Sequence, residues 1–384
     1  MHAITRLGLA TGTALAAAAA FAVPASAFAT GTNSADCGCD GARNAVFVQT
    51  DNTAGNQVVA YHRNADGTLA PAGTYDTGGL GGMLVGSVAD HLASQGSLIY
   101  DPRHALLYAV NAGSDTVSVF SVDGDRLTLR QTVTSGGSFP VSVAVSGDVV
   151  YVLNALNGGS IQGYRVADRY LAQMAAWNRP LNLDPAATPQ FTTTPGQVGF
   201  SADGKQLLVT TKANTNAVDV FALDHTGAPA ATPVVNTIPA AVPFSFVQHG
   251  DHQIFLTEAG PNALATYTVH HDGTLAQTAS SATGQSATCW VTAIGDLLYA
   301  SNAGSSNLSG FRTDPHGGLT AVGTTPTDPG TVDTAASTNG RYLYAQTGGN
   351  GIVDEFRVNS DGSLTAIGSQ TVPGAVGGEG IVAF

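Results

Sequence analysis

The sequence predicts an all-β protein, a seven-bladed β-propeller closed on itself by its own C-terminal strand. Three observations carry that expectation. A strand-pair motif recurs seven times at blade-sized spacing, Asp-Gly pairs follow the motif, and the one unused strand at the C-terminus matches one missing at the start. Of 384 residues, 43% are apolar and 11% charged, enough for a large core and unlike a disordered chain. The 47 glycines and 17 prolines favour short strands joined by tight turns.

The clearest copy of the motif is Leu106-Leu107-Tyr108-Ala109-Val110-Asn111-Ala112-Gly113-Ser114, followed by a second apolar segment at 117–120. It recurs at 298–305 with 308–311, and weaker copies span 47–61, 151–164, 208–221, 255–267 and 344–356. The residues closing the first strand of each copy align as Thr50, Asn111, Asn154, Lys212, Glu258, Asn302 and Thr347. Four of the six intervals lie between 43 and 46 residues, the length of a four-stranded propeller blade. The other two are longer and mark insertions.

Asp66-Gly67, Asp123-Gly124, Asp272-Gly273 and Asp361-Gly362 follow the second strand of their copies. Such pairs supply the positive φ that a tight hairpin needs. A further strand precedes each copy (141–145, 197–200, 290–293) and another follows the turn (363–367), giving four strands per repeat. The first copy, starting near Asn44, lacks its preceding strand. Gly380-Ile381-Val382-Ala383-Phe384 is left over at the C-terminus and can fill that place beside 45–50, removing an open sheet edge.

Residues 1–27 read as a secretory signal peptide. Arg6 precedes an Ala-rich apolar stretch at 7–23, and Ala25-Ser26-Ala27 is a small-x-small cleavage site. Residues 28–43 read as a flexible leader with Cys37 and Cys39, and 44–384 as the propeller. The expectation is a secreted, extracellular, soluble monomer. A formal net charge of −13 disfavours nucleic acid and anionic membranes as partners. No cofactor is implied. Cys289 is either a small buried side chain or the partner of Cys37 or Cys39.

In a propeller the start of each inner strand and the end of its neighbour lie on one face. Ser97, Ser142, Gln197, Ser245, Trp290 and Asp333 align on the inner strands, opposite the closing residues named above. Convergent polar groups at a concave mouth form a default ligand pocket. Gln197, Trp290, Asp333, Asn111, Asn154 and Asn302 are the candidate ligand-binding residues. Lys212, Glu258 and His91 are the candidate catalytic residues, His91 being the one histidine placed at this face. The same ring would serve equally to hydrate an open channel, with Lys212 and Glu258 a plain ion pair. Both insertions belong to this face: 78–96 with Met83, Asp90 and His91, and 166–195 with Trp177, Arg179 and Asp184. His249, His252, His270 and His271 have no third ligand in view, so no metal site is expected.

The Leu-Tyr-Ala-x-Asn-Ala-Gly-Ser units and the Ser201-Ala202-Asp203-Gly204-Lys205 turn resemble the lactonase-like propellers, which include 6-phosphogluconolactonase and carboxymuconate cyclase and have repeats related to the YVTN type. The resemblance spans about 44–384. It implies hydrolysis or isomerisation of a small lactone or sugar-acid ester. The family's histidines fall here at Val141 and Gln197, its arginine at Gly196 and its glutamate at Lys212, so no catalytic residue carries over. Glu258 or His91 would then serve as base and Lys212 would stabilise an oxyanion. The alternative is a non-catalytic secreted module binding a peptide, glycan or metabolite across the inserted loops.

Overall fold

The computed structural model describes residues 44–384; the expected signal peptide and the leader with Cys37 and Cys39 lie outside the described residues. Seven antiparallel sheets form the ring. Blade 1 comprises Ala45–Gln49, Gln57–Arg63 and Leu69–Asp76; blade 2, Leu98–Asp101, Leu106–Asn111, Thr116–Asp123 and Arg126–Thr134. Blade 3 runs through Pro140–Ser146, Val149–Asn154, Ser160–Ala167 and Tyr170–Gln173; blade 4 through Val198–Phe200, Gln206–Thr210, Ala217–Ala222 and Val234–Thr237. Blade 5 is Pro243–His249, Gln253–Glu258, Ala263–Val269 and Leu275–Ala282; blade 6, Thr288–Ile294, Leu297–Asn302, Asn307–Thr313 and Leu319–Pro326. Blade 7 is Thr331–Ala336, Tyr342–Thr347, Ile352–Val358 and Leu364–Thr371.

The innermost strand of blade 1 is Ile381–Ala383, paired antiparallel with Val46↔Ala383, Phe47↔Val382 and Val48↔Ile381. The closing strand is thus the C-terminal one, as the sequence predicts. Arg63 locks it by donating from Nε and Nη2 to the Phe384 carbonyl oxygen at 2.9 and 2.7 Å. The Phe384 ring packs edge-on to Phe47 at 6.1 Å and to Tyr100 at 4.4 Å.

The core lies between neighbouring blades. Second strands such as Leu106–Asn111, Leu297–Asn302 and Tyr342–Thr347 are buried along their whole length because each is covered on both faces. Outer strands alternate between exposed and partly buried residues, as in Leu275–Ala282, because their far edge meets solvent. The repeated tyrosine has a specific task. Tyr151, Tyr299 and Tyr344 each donate their hydroxyl to the outer-turn glycine of the next blade: Gly227 at 2.7 Å, Gly362 at 2.9 Å and Gly67 at 2.7 Å. Gly67 has φ +93°, and a Cβ there would sit 2.2 Å from the Tyr342 ring, so this turn requires glycine for both conformation and space. Among the described residues no helix is long and apolar enough to cross a membrane.

Candidate functional site: an apolar cavity beside a plugged channel

The first insertion does not stay at the rim; it crosses the ring's axis. Gln95 exchanges a pair of hydrogen bonds with the blade 6 inner strand, Nε2 donating to Val291 O at 3.1 Å and Val291 N donating to Oε1 at 3.0 Å. Its own backbone N donates to Gly196 O at 3.1 Å. Ser94 Oγ donates to Val141 O at 2.9 Å, and Trp290 Nε1 donates to Ser94 O at 2.5 Å. Segment 94–96 thereby ties blades 3 and 6 and the entry to blade 4 together across the centre. The expected open channel is plugged at this level.

Against the plug lies a nest of carboxyl groups. Glu379, just before the closing strand, accepts from Gly96 N at 3.1 Å, and its backbone N donates to Asp51 at 2.8 Å. Burial pushes Asp51 up to about 8 and Asp333 up to about 7, and raises Glu379 well above the usual carboxylate range, with the neighbouring carboxylates adding to the last. Asp333 and Glu379 are in hydrogen-bond contact. Among the described residues, no three His, Cys, Asp or Glu side chains are arranged to hold a metal ion.

Over blades 4 to 6 lies a cavity of about 480 Å³. Its walls include Ala213, Ala259 and Ala303, which follow the second strands of blades 4, 5 and 6, together with Phe244, Cys289 and Trp290. The first insertion covers it with residues 86–90, and the second adds Phe191 and Thr192. Val85 N donates to Gln190 Oε1 at 2.8 Å, joining the two insertions.

Two charged residues line this cavity, Asp90 and Lys212. Asp90 accepts from Leu92 N at 2.7 Å and Ser94 N at 2.9 Å, and burial lifts its carboxyl to about 6. Lys212 is fully enclosed. Its Nζ donates to Ala93 O at 2.6 Å, Phe191 O at 2.7 Å and Thr194 Oγ1 at 3.1 Å, so one ammonium pins both insertions to blade 4. Desolvation pulls it down to about 7. The three acceptors and the Phe244 ring, 5.3 Å away, oppose that loss of charge. Cys289 is free, and burial pushes its thiol up to about 12, which makes it a poor nucleophile.

Residues 81–376 match the family model of the lactonase, seven-bladed β-propellers. The chain belongs to that lactonase family. No curated protein sequence matches it. Solved structures with the same fold include a protein of Bacteroides uniformis assigned to the 6-phosphogluconolactonases, with 20% identity, TM-score 0.72, and coverage of 86% of this chain and 97% of that one. A Bacteroides fragilis protein with the same assignment has 18% identity, TM-score 0.70 and coverage of 88% and 96%. The periplasmic gluconolactonase of Pseudomonas aeruginosa has 18% identity, TM-score 0.70 and coverage of 88% and 98%.

Within this lactonase-family propeller the residues singled out from sequence fall into two groups. Lys212 and Trp290 line the cavity; Glu258, His91, Gln197, Asp333, Asn111, Asn154 and Asn302 do not. The reason is a one-residue register. Thr211 N donates to Ala217 O as Thr50 N donates to Gln57 O, so Thr211, not Lys212, is the blade 4 equivalent of Thr50. Lys212 shares the next position with Asp51, and both have left-handed backbones, φ +49° and +52°. Because strand side chains alternate faces, that step separates Lys212 from Glu258. Lys212 and Glu258 are therefore not an ion pair. Glu258 instead accepts the Tyr267 hydroxyl at 2.6 Å within its own blade.

The asparagines close strand ends. Asn111 Nδ2 donates to Ser118 Oγ at 2.8 Å, Asn154 Nδ2 to Ser135 O at 3.1 Å, and Asn302 Nδ2 to Ser309 Oγ at 2.9 Å. The inner-strand ring forms a girdle of latches. Ser97 Oγ donates to Glu379 O at 2.8 Å, Ser142 Oγ to Gln95 O at 2.8 Å, Ser245 Oγ to Cys289 O at 2.7 Å, and Gln197 Oε1 accepts from Phe246 N at 2.6 Å. His91 packs on Gly377, its backbone N donating to Gly377 O at 2.8 Å, and partial burial lowers its proton affinity. In the second insertion Trp177 is buried against Tyr151, and Arg179 donates to Pro229 O and Ala230 O. Asp90, which sequence reasoning left among the loop residues, is the carboxylate that reaches the cavity. Its sequence signal is weak: an acid beside Ala89 in an apolar, glycine-rich insertion.

Proposed function

We propose that this protein opens a small lactone or sugar-acid ester in the cavity over blades 4 to 6, with Asp90 as general base. The observation that carries the reading is a carboxylate raised to about 6, close to working pH, lining the same enclosed space as the Lys212 ammonium in a lactonase-family propeller. Asp90 takes a proton from water as the water oxygen attacks the acyl carbon. The carbonyl electron pair moves onto oxygen; collapse then breaks the ring C–O bond, and the leaving alkoxide takes the proton from Asp90. Lys212 has every N–H committed, so it contributes its field to the developing oxyanion and holds the insertions in place. Isomerisation would use the same base on a carbon-bound proton. The apolar N-terminal stretch and cleavage site support export to the extracellular space, where the chain acts as a monomer.

Initial rates on a lactone panel test this assignment. Asp90→Asn should lose about 100-fold or more, while Glu258→Gln stays near wild type. Full activity in Asp90→Asn would remove the base from the scheme. A second reading has one observation in its favour, the complete engagement of Lys212: a secreted module that captures a peptide, glycan or metabolite without turning it over. Thermal-shift hits without any turnover would favour that reading.

A further inference from the structure

The composition of the cavity says more about its ligand than the fold does. Six alanines line it, Ala89, Ala93, Ala213, Ala259, Ala287 and Ala303, with two phenylalanines and a tryptophan. Ala259 and Ala303 at the ends of the second strands of blades 5 and 6, with Ala213 just past Lys212 on blade 4, leave space that larger side chains would fill. The segment covering the cavity carries exposed aliphatic groups: Met83 is 54% exposed, Val85 72% and Val88 82%. Val88 also belongs to the lining, so the apolar surface continues from the interior onto the rim.

Hydrogen-bond capacity is the second constraint. The lining hydroxyls already donate their protons within the protein, Ser87 Oγ to Leu84 O at 2.9 Å and Thr192 Oγ1 to Pro189 O at 3.0 Å. Lys212, the one lining cation, has no free N–H. A polyhydroxylated lactone would lose its water at each hydroxyl and regain few partners, which opposes its binding. A phosphorylated one would face the Asp90 carboxylate with no arginine or free lysine to receive it. An aliphatic tail incurs neither cost.

We infer that the cavity takes an uncharged lactone or ester bearing an apolar tail, rather than a phosphorylated or polyhydroxylated sugar lactone. The carbonyl end sits by Asp90 and the tail runs along the alanine wall toward Val88. This inference rests on the reading of the cavity as the site of lactone opening, but binding and turnover separate the two.

Binding is measured by titration calorimetry with cyclopentanones carrying butyl, hexyl and octyl tails, which have the carbonyl but no ester bond to cleave. Gluconate and 6-phosphogluconate serve as polar probes. Affinity should rise about threefold to fourfold per methylene until the tail reaches the rim, and the polar probes should bind far more weakly. Val88→Asp, at an exposed position where folding is not at stake, should weaken the octyl probe by about fivefold or more. Ala259→Leu should exclude the longer tails. Flat affinity across the tails, or tighter binding of the polar probes, overturns the inference. Turnover of the matching alkyl lactones is read separately. Chain-dependent binding without turnover leaves this inference standing and removes the hydrolytic reading; turnover of gluconolactone with no tail dependence does the reverse.

Discussion

The two halves of the channel mouth are built from equivalent positions and put to opposite uses. After the second strands of blades 5 and 6 stand Ala259 and Ala303, and Ala213 follows Lys212 on blade 4; together they leave a cavity. On blades 7 and 1 the position after the second strand is Gly348 and Asp51, and that side is filled. Ala89 packs onto Gly348 so closely that a Cβ would lie 1.6 Å from the Ala89 carbonyl oxygen, and the Asp51 carboxylate accepts from the Glu379 backbone N just ahead of the closing strand. A repeat fixes where side chains stand around the axis, while what the insertions and the segment before the closing strand lay over a position decides whether it is filled, as at Gly348 and Asp51, or left open, as at Ala259 and Ala303.

Removing the filled half's keystone should have the largest effect. A chain ending at Gly380 loses the inner strand of blade 1, its Phe384 ring contacts and the acceptor for Arg63. Denaturant unfolding should show a loss of at least about 4 kcal/mol or no cooperative transition at all. A near-wild-type midpoint would mean the ring does not depend on closure here.

Lys212→Met comes next, because it strips three buried acceptors of their donor and releases both insertions. About 3 kcal/mol should be lost, with faster proteolysis within residues 82–92. A variant as stable and as protease-resistant as wild type would contradict the pinning role.

The pH dependence distinguishes the halves more finely. Asp51 and Asp333 titrate higher in the folded chain than in the unfolded one, as does Glu379. Their contribution is fully present below about pH 4, and it is lost as pH rises through about 7 to 8. Wild type should therefore lose more Tm between those limits than Glu379→Gln does, by roughly 5 °C. Parallel curves for the two proteins would show that the carboxyl nest carries no such linkage. The smallest effect belongs to a single girdle latch: Ser245→Ala should cost about 1 kcal/mol, measured in the same unfolding experiment.

Much of the ring was legible in the sequence, and for physical reasons. Strand spacing, Asp-Gly turns and the orphan C-terminal strand are local signals, and the repeated tyrosine marks a contact to the next blade's outer turn that blades 3, 6 and 7 make. The site was less legible. Lys212 reads as the end of a strand but occupies the following residue in a left-handed conformation, so the shift by one that brought Glu258 beside it in the sequence is undone by the alternation of side chains. The crossing of the axis by segment 94–96 has no periodic signal at all. Glu379 sits in a glycine-rich tail whose composition speaks only of turns, although a lone acid just before a closing strand is a signal that reasoning about closure could have used.

We place lactone opening in the alanine-walled half, with Asp90 as its base. The pH profile of kcat/KM for lactone opening tests it most directly. Wild type should rise through an inflection at about 6, the value to which burial lifts Asp90, and Asp90→Asn should lose both that limb and the rate. A profile that keeps its inflection and its plateau in Asp90→Asn would place the reaction elsewhere in the ring.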